Sequence, residues 1–197
     1  MKALALFILL FVSVPIVSAQ PVVVIVRHAE KANGGNDPDL SSAGRARANE
    51  LARILKDSGI TAIFSTEFKR TQETAAPTAT STHVTPTVVA GKDTAALVGK
   101  LHQLNGNALV VGHGDTIPNI VKALGINSSV NIPDADYSEL LIVTLGDKPQ
   151  LFRLHYSDDE RSENAVVSKL GVRSPRELPC ALKTQSVSRR GHHSQCR

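Results

Sequence analysis

A run of five apolar residues, 22–26, leads directly into Arg27 and His28. Four of the five are valine, Pro21 precedes them, and a polar Asn-Gly-Gly-Asn segment follows at 33–36. Such a run predicts a buried strand of the kind found in parallel sheets. Open α/β sheets bind ligands outside the carboxyl ends of their strands, so this basic end is a candidate for function. A solvated loop at a strand end would have the same composition.

Other short segments also have the composition of strands, because they are apolar or β-branched and bounded by Gly, Pro, Asn or Asp. They span residues 61–65, 84–89, 108–112, 139–145 and 150–155. Pro86 makes the second of these a short or edge strand. Residues 146–149 read Gly-Asp-Lys-Pro, which predicts a hairpin-like connection between the last two strands.

Helical patterns separate the first four strands. Apolar residues at 48, 51, 52 and 55 have helical spacing, with Ser41 or Ser42 as N-cap and Gly59 as the end. Further helices are predicted from an N-cap at Thr66 to about residue 80, from Asp93 to about residue 104, and from residues 114–116 through 124. Strands that alternate with helices predict an α/β fold with a mostly parallel sheet covered on both faces.

The chain divides into three segments. Residues 1–19 have one early lysine, an apolar stretch and a Val-Ser-Ala end, which predicts a secretory signal peptide. A retained membrane anchor is the alternative, but the stretch is shorter than a spanning helix. Residues 20–156 form the predicted globular domain. Residues 157–197 lose all periodicity and are predicted to be a disordered or loosely packed basic tail.

The predicted domain contains neither an excess of charge nor a cysteine. Residues 20–156 hold 13 basic and 13 acidic residues, so the net charge of +4 comes from the two ends of the chain. A neutral domain is a poor match to nucleic acid. Cys180 and Cys196 both lie in the tail, where they could pair in an oxidising compartment or have no role. Because residues 1–19 are predicted to be a cleaved signal peptide, an exported protein, secreted or periplasmic, is expected, without stable membrane insertion after cleavage.

Four side chains are predicted to converge at one edge of the sheet. Arg27 and His28 end one strand, His113 ends another, and Arg70 lies at the start of the helix after a third. Two imidazoles and two guanidiniums suit a dianion such as phosphate. A neutral imidazole can attack phosphorus, but spacing alone does not decide which histidine does so.

Other site chemistries fit these residues less well. Two arginines would repel a divalent cation, and no third metal ligand is evident beside the histidines. A serine hydrolase is disfavoured because the chain has no G-x-S-x-G motif.

The motifs resemble those of the histidine phosphatase superfamily, the phosphoglycerate mutase-like proteins, in its small single-domain form. The similarity lies in Val26-Arg27-His28-Ala29-Glu30, Leu40-Ser41-Ser42-Ala43-Gly44, Ser65-Thr66-Glu67-Phe68-Lys69-Arg70-Thr71-Gln72-Glu73-Thr74 and Gly112-His113-Gly114-Asp115. Ala29 stands in the place of a family glycine. Four motifs in the family's order are a specific signal, and the resemblance spans residues 21 to 156.

The resemblance implies a three-layer α/β/α fold and phosphoryl transfer through a phosphohistidine. It implies that His28 is the nucleophile, that Arg27, Arg70 and His113 bind the phosphoryl group, and that no metal or cofactor is needed. The implied substrate is a small phosphorylated molecule or a phosphoprotein. Arg47 stands where the family often has Gln, which we interpret as a surface change.

The general acid is not assigned by these motifs. Asp115 and Glu30 are equal candidates and Asp93 is a third, although Asp93 and Asp115 also look like helix N-caps. A good leaving group would need little acid help. The alternatives to a phosphatase are a non-catalytic module that binds phosphorylated ligands and, less favoured, a phosphoryl mutase. Substrate selectivity is expected in the loops 33–39, 82–92 and 127–136.

Overall fold

The computed structural model describes residues 20–156. The predicted signal peptide and the predicted tail lie outside the described residues. The elements are β1 (Val22–Arg27), α1 (Ser42–Leu55), β2 (Ile60–Ser65), α2 (Lys69–Thr82), β3 (Thr87–Val88), α3 (Thr94–Leu101), β4 (Asn107–Gly112), α4 (Ile117–Ala123), β5 (Glu139–Thr144) and β6 (Gln150–His155). No helix of this part of the chain is long and apolar enough to cross a bilayer.

The six strands form one sheet in the order β3-β2-β4-β1-β5-β6. Neighbours among β3, β2, β4 and β1 are parallel, whereas β5 pairs antiparallel with β1 and with β6. The α/β fold with a mostly parallel sheet is thus confirmed. β3 is a two-residue edge strand, as Pro86 predicted.

Two layers of helices cover the sheet. On one face α1 and α2 pack over a cluster that includes Val24, Leu51 and Leu109, and on the other α3 and α4 pack over one that includes Ile25, Leu101 and Val110. β1 and β4 contribute to both clusters, so their residues alternate between two buried faces. That is why both strands read as continuous apolar runs.

The helix ends show which capping predictions hold. Ser41, rather than Ser42, is the N-cap of α1, and its hydroxyl accepts a hydrogen bond from Gly44 N–H at 3.0 Å. Asp93 caps α3 through Ala96 N–H at 2.9 Å. Thr66 does not cap α2, which begins after Phe68. Asp115 does not cap α4 either, because Thr116 takes that position.

Candidate active site

The register of the sheet brings the two histidines together. β1 and β4 are parallel neighbours in which Arg27 pairs with Gly112, so the next residues, His28 and His113, leave the sheet side by side. His28 N–H donates to the Gly112 carbonyl at 2.9 Å. The two ring centroids are 5.3 Å apart, with the ring planes at 62°.

The hydrogen bonding of His28 defines its tautomer. Its Nδ1 lies 2.8 Å from the carbonyl oxygen of Ala29. A carbonyl can only accept, so Nδ1 carries the proton and Nε2 keeps its lone pair. His28 is buried, with 5% of its surface exposed. Burial, together with the charges of His113, Arg70 and Arg27, lowers the pKa of His28 to about 4, although its bond to Ala29 opposes the shift. A neutral imidazole near pH 7 follows.

The loop after His28 is held between α1 and α2. Ala29 N–H donates to Thr74 Oγ1 at 2.9 Å, and Ser41 N–H donates to the Glu30 carbonyl at 2.8 Å. The Gly44 position is in such close contact with this loop that a Cβ there would lie 2.1 Å from the Glu30 carbonyl oxygen. This contact explains why a glycine in the first turn of α1 accompanies the histidine motif.

His113 has a protein partner on each ring nitrogen. Nε2 lies 3.0 Å from Thr66 Oγ1, and Nδ1 lies 3.5 Å from Arg70 Nη2. Arginine can only donate, so Nδ1 is the accepting atom and Nε2 carries the proton toward Thr66. Burial, followed by the charge of Arg70, lowers the pKa of His113 despite the nearby carboxylates of Asp115 and Glu67.

Arg70 lies in the first turn of α2, beside the end of β2 that leads to Thr66. Its guanidinium packs over the ring of Phe68 at 4.4 Å, and Nη1 lies 3.6 Å from Asp37 Oδ1. The Asp37 carboxylate also accepts from Lys69 N–H at 3.1 and 3.3 Å, so it takes the anion position expected at this helix start.

The Nη1 atom of Arg27 is occupied by backbone carbonyls of the loop before β5. Nη1 donates to the carbonyls of Pro133 and Asp134 at 2.9 and 2.8 Å and, at 3.3 Å, to that of Asp136. The ring of Tyr137 covers the guanidinium at 4.5 Å and lies 5.9 Å from the His28 ring. The Nε atom of Arg27 is buried and has no hydrogen-bond partner in the described part of the chain.

The three candidate acids have different surroundings. Both oxygens of Glu30 accept from Arg47: Nε donates at 3.0 and 2.9 Å, and Nη2 donates at 2.7 Å. The interpretation of Arg47 as a surface change is therefore wrong, because its side chain is 4% exposed and neutralises Glu30. Asp93 is engaged as the N-cap of α3. Asp115 is exposed and close enough to His113 to affect its pKa.

Several contacts at the site involve residues that the motifs did not single out. Thr66 was expected to cap a helix and instead contacts His113, while Asp37 and Tyr137 contact the two arginines. Nothing in composition distinguishes these side chains from ordinary loop residues. Asp37 lies within the loop expected to control selectivity, and Tyr137 directly follows another such loop. Among residues 20–156 no three His, Cys, Asp or Glu side chains form a group suited to a metal ion.

Fold and site together define a phosphoglycerate mutase-like α/β protein with a cationic, histidine-bearing pocket. Residues 23–91 match the model of the histidine phosphatase superfamily (branch 1). A comparison with curated proteins found no matching sequence. The match over residues 23–91 and the shared fold make the chain similar to the histidine phosphatase superfamily, the family that its motifs predicted.

Three solved structures illustrate the shared fold. Protein histidine phosphatase SixA complexed with tungstate is 18% identical with a TM-score of 0.57, over 68% of this chain and 96% of that one. Phosphoserine phosphatase from Entamoeba histolytica with 3-phosphoglyceric acid is 16% identical (TM-score 0.55; 70% and 98%). Mycobacterial glucosyl-3-phosphoglycerate phosphatase is also 16% identical (TM-score 0.53; 70% and 99%).

Proposed function

We propose that this protein is an exported phosphatase that hydrolyses a phosphate monoester through a phosphohistidine on His28, without a metal ion. The observation that carries the proposal is the neutral, buried His28, with its Nε2 lone pair available and two guanidiniums and a second imidazole around it. The similarity to the histidine phosphatase superfamily supports phosphatase chemistry, and the arrangement of these residues supports the mechanism.

In the first step, Nε2 of His28 attacks the phosphorus atom. A P–N bond forms as the bond from phosphorus to the leaving oxygen breaks, and that oxygen takes a proton from an acid or from water. Nδ1 keeps its proton, bonded to Ala29, so the phosphorylated imidazole is stabilised by the same carbonyl. In the second step, water attacks phosphorus, the P–N bond breaks, and inorganic phosphate and neutral His28 are released.

Charge on the phosphoryl oxygens is taken up by Arg27, Arg70 and His113. Guanidiniums stabilise the equatorial oxygens as charge spreads over them. The contact of His113 Nδ1 with Arg70, at 3.5 Å, is at the outer limit of a hydrogen bond and is readily exchanged for a phosphoryl oxygen. A bound dianion also favours protonation of His113, which then donates from Nδ1 while Thr66 keeps Nε2 in place.

Asp115 is the proposed general acid. Glu30 is committed to Arg47 and Asp93 to the start of α3, whereas Asp115 is exposed beside His113. Because Asp115 is exposed to water, it is expected to give a leaving oxygen only limited acid assistance. We therefore propose a preference for substrates with good leaving groups, and Asp115→Asn should slow alkyl phosphates more than aryl phosphates.

The test is release of inorganic phosphate from a panel of substrates by wild type and His28→Ala. Because the structural neighbours include a protein histidine phosphatase and phosphatases of small monoesters, the panel contains a phosphohistidine peptide, p-nitrophenyl phosphate and O-phosphoserine. We expect turnover with EDTA present and none by His28→Ala. Phosphate binding without turnover would favour a binding module, and activity that requires an added metal would contradict metal independence.

Export is tested separately. In a bacterial host, the full chain should appear outside the cytoplasm with Gln20 as its first residue, if the segment 1–19 is a cleaved signal peptide. Recovery of the intact chain from the cytoplasm, or from membranes, would contradict export by this route.

A further inference from the structure

Two arginines of this domain are held in the same way. For Arg47, Nη1 donates to the backbone carbonyl of Tyr156 at 3.2 Å, the guanidinium lies 5.6 Å from the Tyr156 ring, and the Nε and Nη2 atoms donate together to the Glu30 carboxylate. The carbonyl and the ring fix the guanidinium, and its side edge, formed by Nε and Nη2, binds the anion. Side-edge pairing of this kind is bidentate.

Arg27 has the same restraints and a different environment at its side edge. Nη1 is taken by the backbone carbonyls of residues 133, 134 and 136, and the Tyr137 ring lies 4.5 Å from the guanidinium. Nε is buried and has no hydrogen-bond partner among the described residues. The Nη2 atom lies 3.8 Å from Oδ1 of Asp134, whose side chain is fully exposed.

The missing partner of Nε points to a ligand. A buried guanidinium N–H without an acceptor costs free energy, so native proteins rarely leave one unpaired. The side edge is also next to Gly114, where an added Cβ would lie 3.7 Å from Nε, so the glycine places no side chain of its own against the buried Nε. Since Nη1 is committed, the Nε–Nη2 edge is the one that can bind an oxyanion in bidentate fashion.

We propose that Tyr137 is a positioning residue: its ring and the carbonyls of residues 133, 134 and 136 hold Arg27 so that Nε and Nη2 bind the phosphoryl group side-on. The inference deepens the proposed function and rests on the phosphate role assigned there to Arg27. Tyr137 acts through Arg27, and its ring also lies 5.9 Å from the His28 ring.

Holding Arg27 in this way reduces the cost of binding. A free arginine side chain loses rotamer entropy when it fixes its guanidinium on an oxyanion. Here the carbonyls and the ring have already fixed it. The antiparallel pairing of β5 with β1 explains the placement, since it brings the start of β5, just after Tyr137, to the carboxyl end of β1, where Arg27 lies.

Tungstate binding to the full-length protein tests the proposal without requiring turnover. Tyr137→Phe keeps the ring and serves as the matched control, while Tyr137→Leu and Tyr137→Met remove it. We expect Tyr137→Phe to bind tungstate within about twofold of wild type, and the Leu and Met variants to bind about 5- to 20-fold more weakly, the range of a partly buried cation–π contact. Thermal unfolding checks that each variant is folded.

A second measurement reports on the side edge itself. In ¹⁵N NMR spectra, the Arg27 Nε–H signal is assigned by its loss in Arg27→Lys. Saturating tungstate should shift that signal downfield in wild type and in Tyr137→Phe, and shift it less in Tyr137→Leu. A purely structural role for Tyr137 would lower thermal stability or the binding stoichiometry while leaving the affinity of the folded molecules unchanged.

The outcomes separate this inference from the proposed function. An Nε–H signal that does not move on saturation, or a Tyr137→Phe variant as weak as Tyr137→Leu, would overturn the positioning role. Tungstate binding with the expected shift but no phosphate release from any substrate would instead refute the phosphatase proposal and leave the side-on binding of oxyanions in place.

Discussion

Replacing Arg47 with methionine should destabilise the domain strongly. The Arg47 side chain is 4% exposed and that of Glu30 is 18% exposed. Three donor–acceptor distances of 2.7 to 3.0 Å join the two side chains, and a further bond of 3.2 Å joins Arg47 to the Tyr156 carbonyl. Methionine has a comparable length and can fill the space, so the loss is mainly that of the ion pair and its hydrogen bonds.

The magnitude follows from the burial of Glu30. Removing one member of a buried ion pair typically costs about 3–5 kcal/mol, because the other charge is left without its partner. Glu30 is partly exposed, so water can reach its carboxylate, and we expect the lower end, about 3 kcal/mol. In a domain of this size such a loss lowers Tm by roughly 10 °C. A substitution at an exposed surface position would change the free energy of unfolding by about 0.5 kcal/mol or less.

Thermal and urea unfolding of three variants measure the effect. Arg53→Met is the control, since Arg53 lies on the same helix and pairs with Glu50, but its side chain is 70% exposed. We expect a loss of about 0.5 kcal/mol or less for it. The double variant Arg47→Met with Glu30→Gln should be more stable than Arg47→Met alone, because the carboxylate that has lost Arg47 is no longer charged.

A loss in Arg47→Met no larger than that of Arg53→Met would refute the reasoning. So would a double variant less stable than the single one, because the cost would then lie in packing and not in the charge. Activity should fall together with stability, since Glu30 is two residues from His28 and its carbonyl helps to hold the loop.

Further predictions concern the pocket. The pKa of His28 is lowered to about 4, so kcat/KM should fall on acidification with a midpoint near pH 4. A midpoint of the kcat/KM profile near pH 6.5 would contradict a buried, neutral nucleophile. The same shift destabilises the fold by about 3 kcal/mol as pH falls from about 6.5 to about 4, because the unfolded chain binds the proton first; urea unfolding of His28→Gln should show a weaker pH dependence. Thr66→Val removes the partner of His113 Nε2 and should reduce kcat about tenfold, and a rate equal to wild type would show that Thr66 does not orient the ring. Asp134→Asn removes an exposed carboxylate near Arg27 and should tighten tungstate binding about twofold at low salt, a gain that disappears in 1 M NaCl; weaker binding would contradict this.

The strand ends were predictable because the sheet is doubly covered. Residues buried on both faces form uninterrupted apolar runs, which identified β1 and β4 and placed Arg27, His28 and His113 at one edge. The helix caps were predictable where the cap is local, as for Ser41 and Asp93. These caps depend on residues within one turn of each other.

The contacts that complete the site depend on pairs distant in sequence. Thr66 is of a residue type that favours the N-cap position. Its hydrogen bond to His113 instead follows from the pairing of β2 with β4, which brings the two strand ends together. In the sequence, Arg47 has the pattern of an exposed basic residue on a helix. It is buried because the loop that carries Glu30 packs against α1 in the folded protein. Tyr137 reaches Arg27 because β5 is antiparallel, so that the amino end of a late strand lies among the carboxyl ends of the others.

Direct detection of the phosphoryl group on His28 is the measurement closest to the central claim. The full-length protein is mixed with p-nitrophenyl phosphate, quenched in base within milliseconds and digested under conditions that preserve phosphohistidine, and its peptides are mapped by mass spectrometry. We predict a modification at His28, at Nε2 by NMR, that disappears as phosphate is released. Turnover with the phosphoryl group on His113, or with no phosphorylated histidine at any time point, would contradict the account.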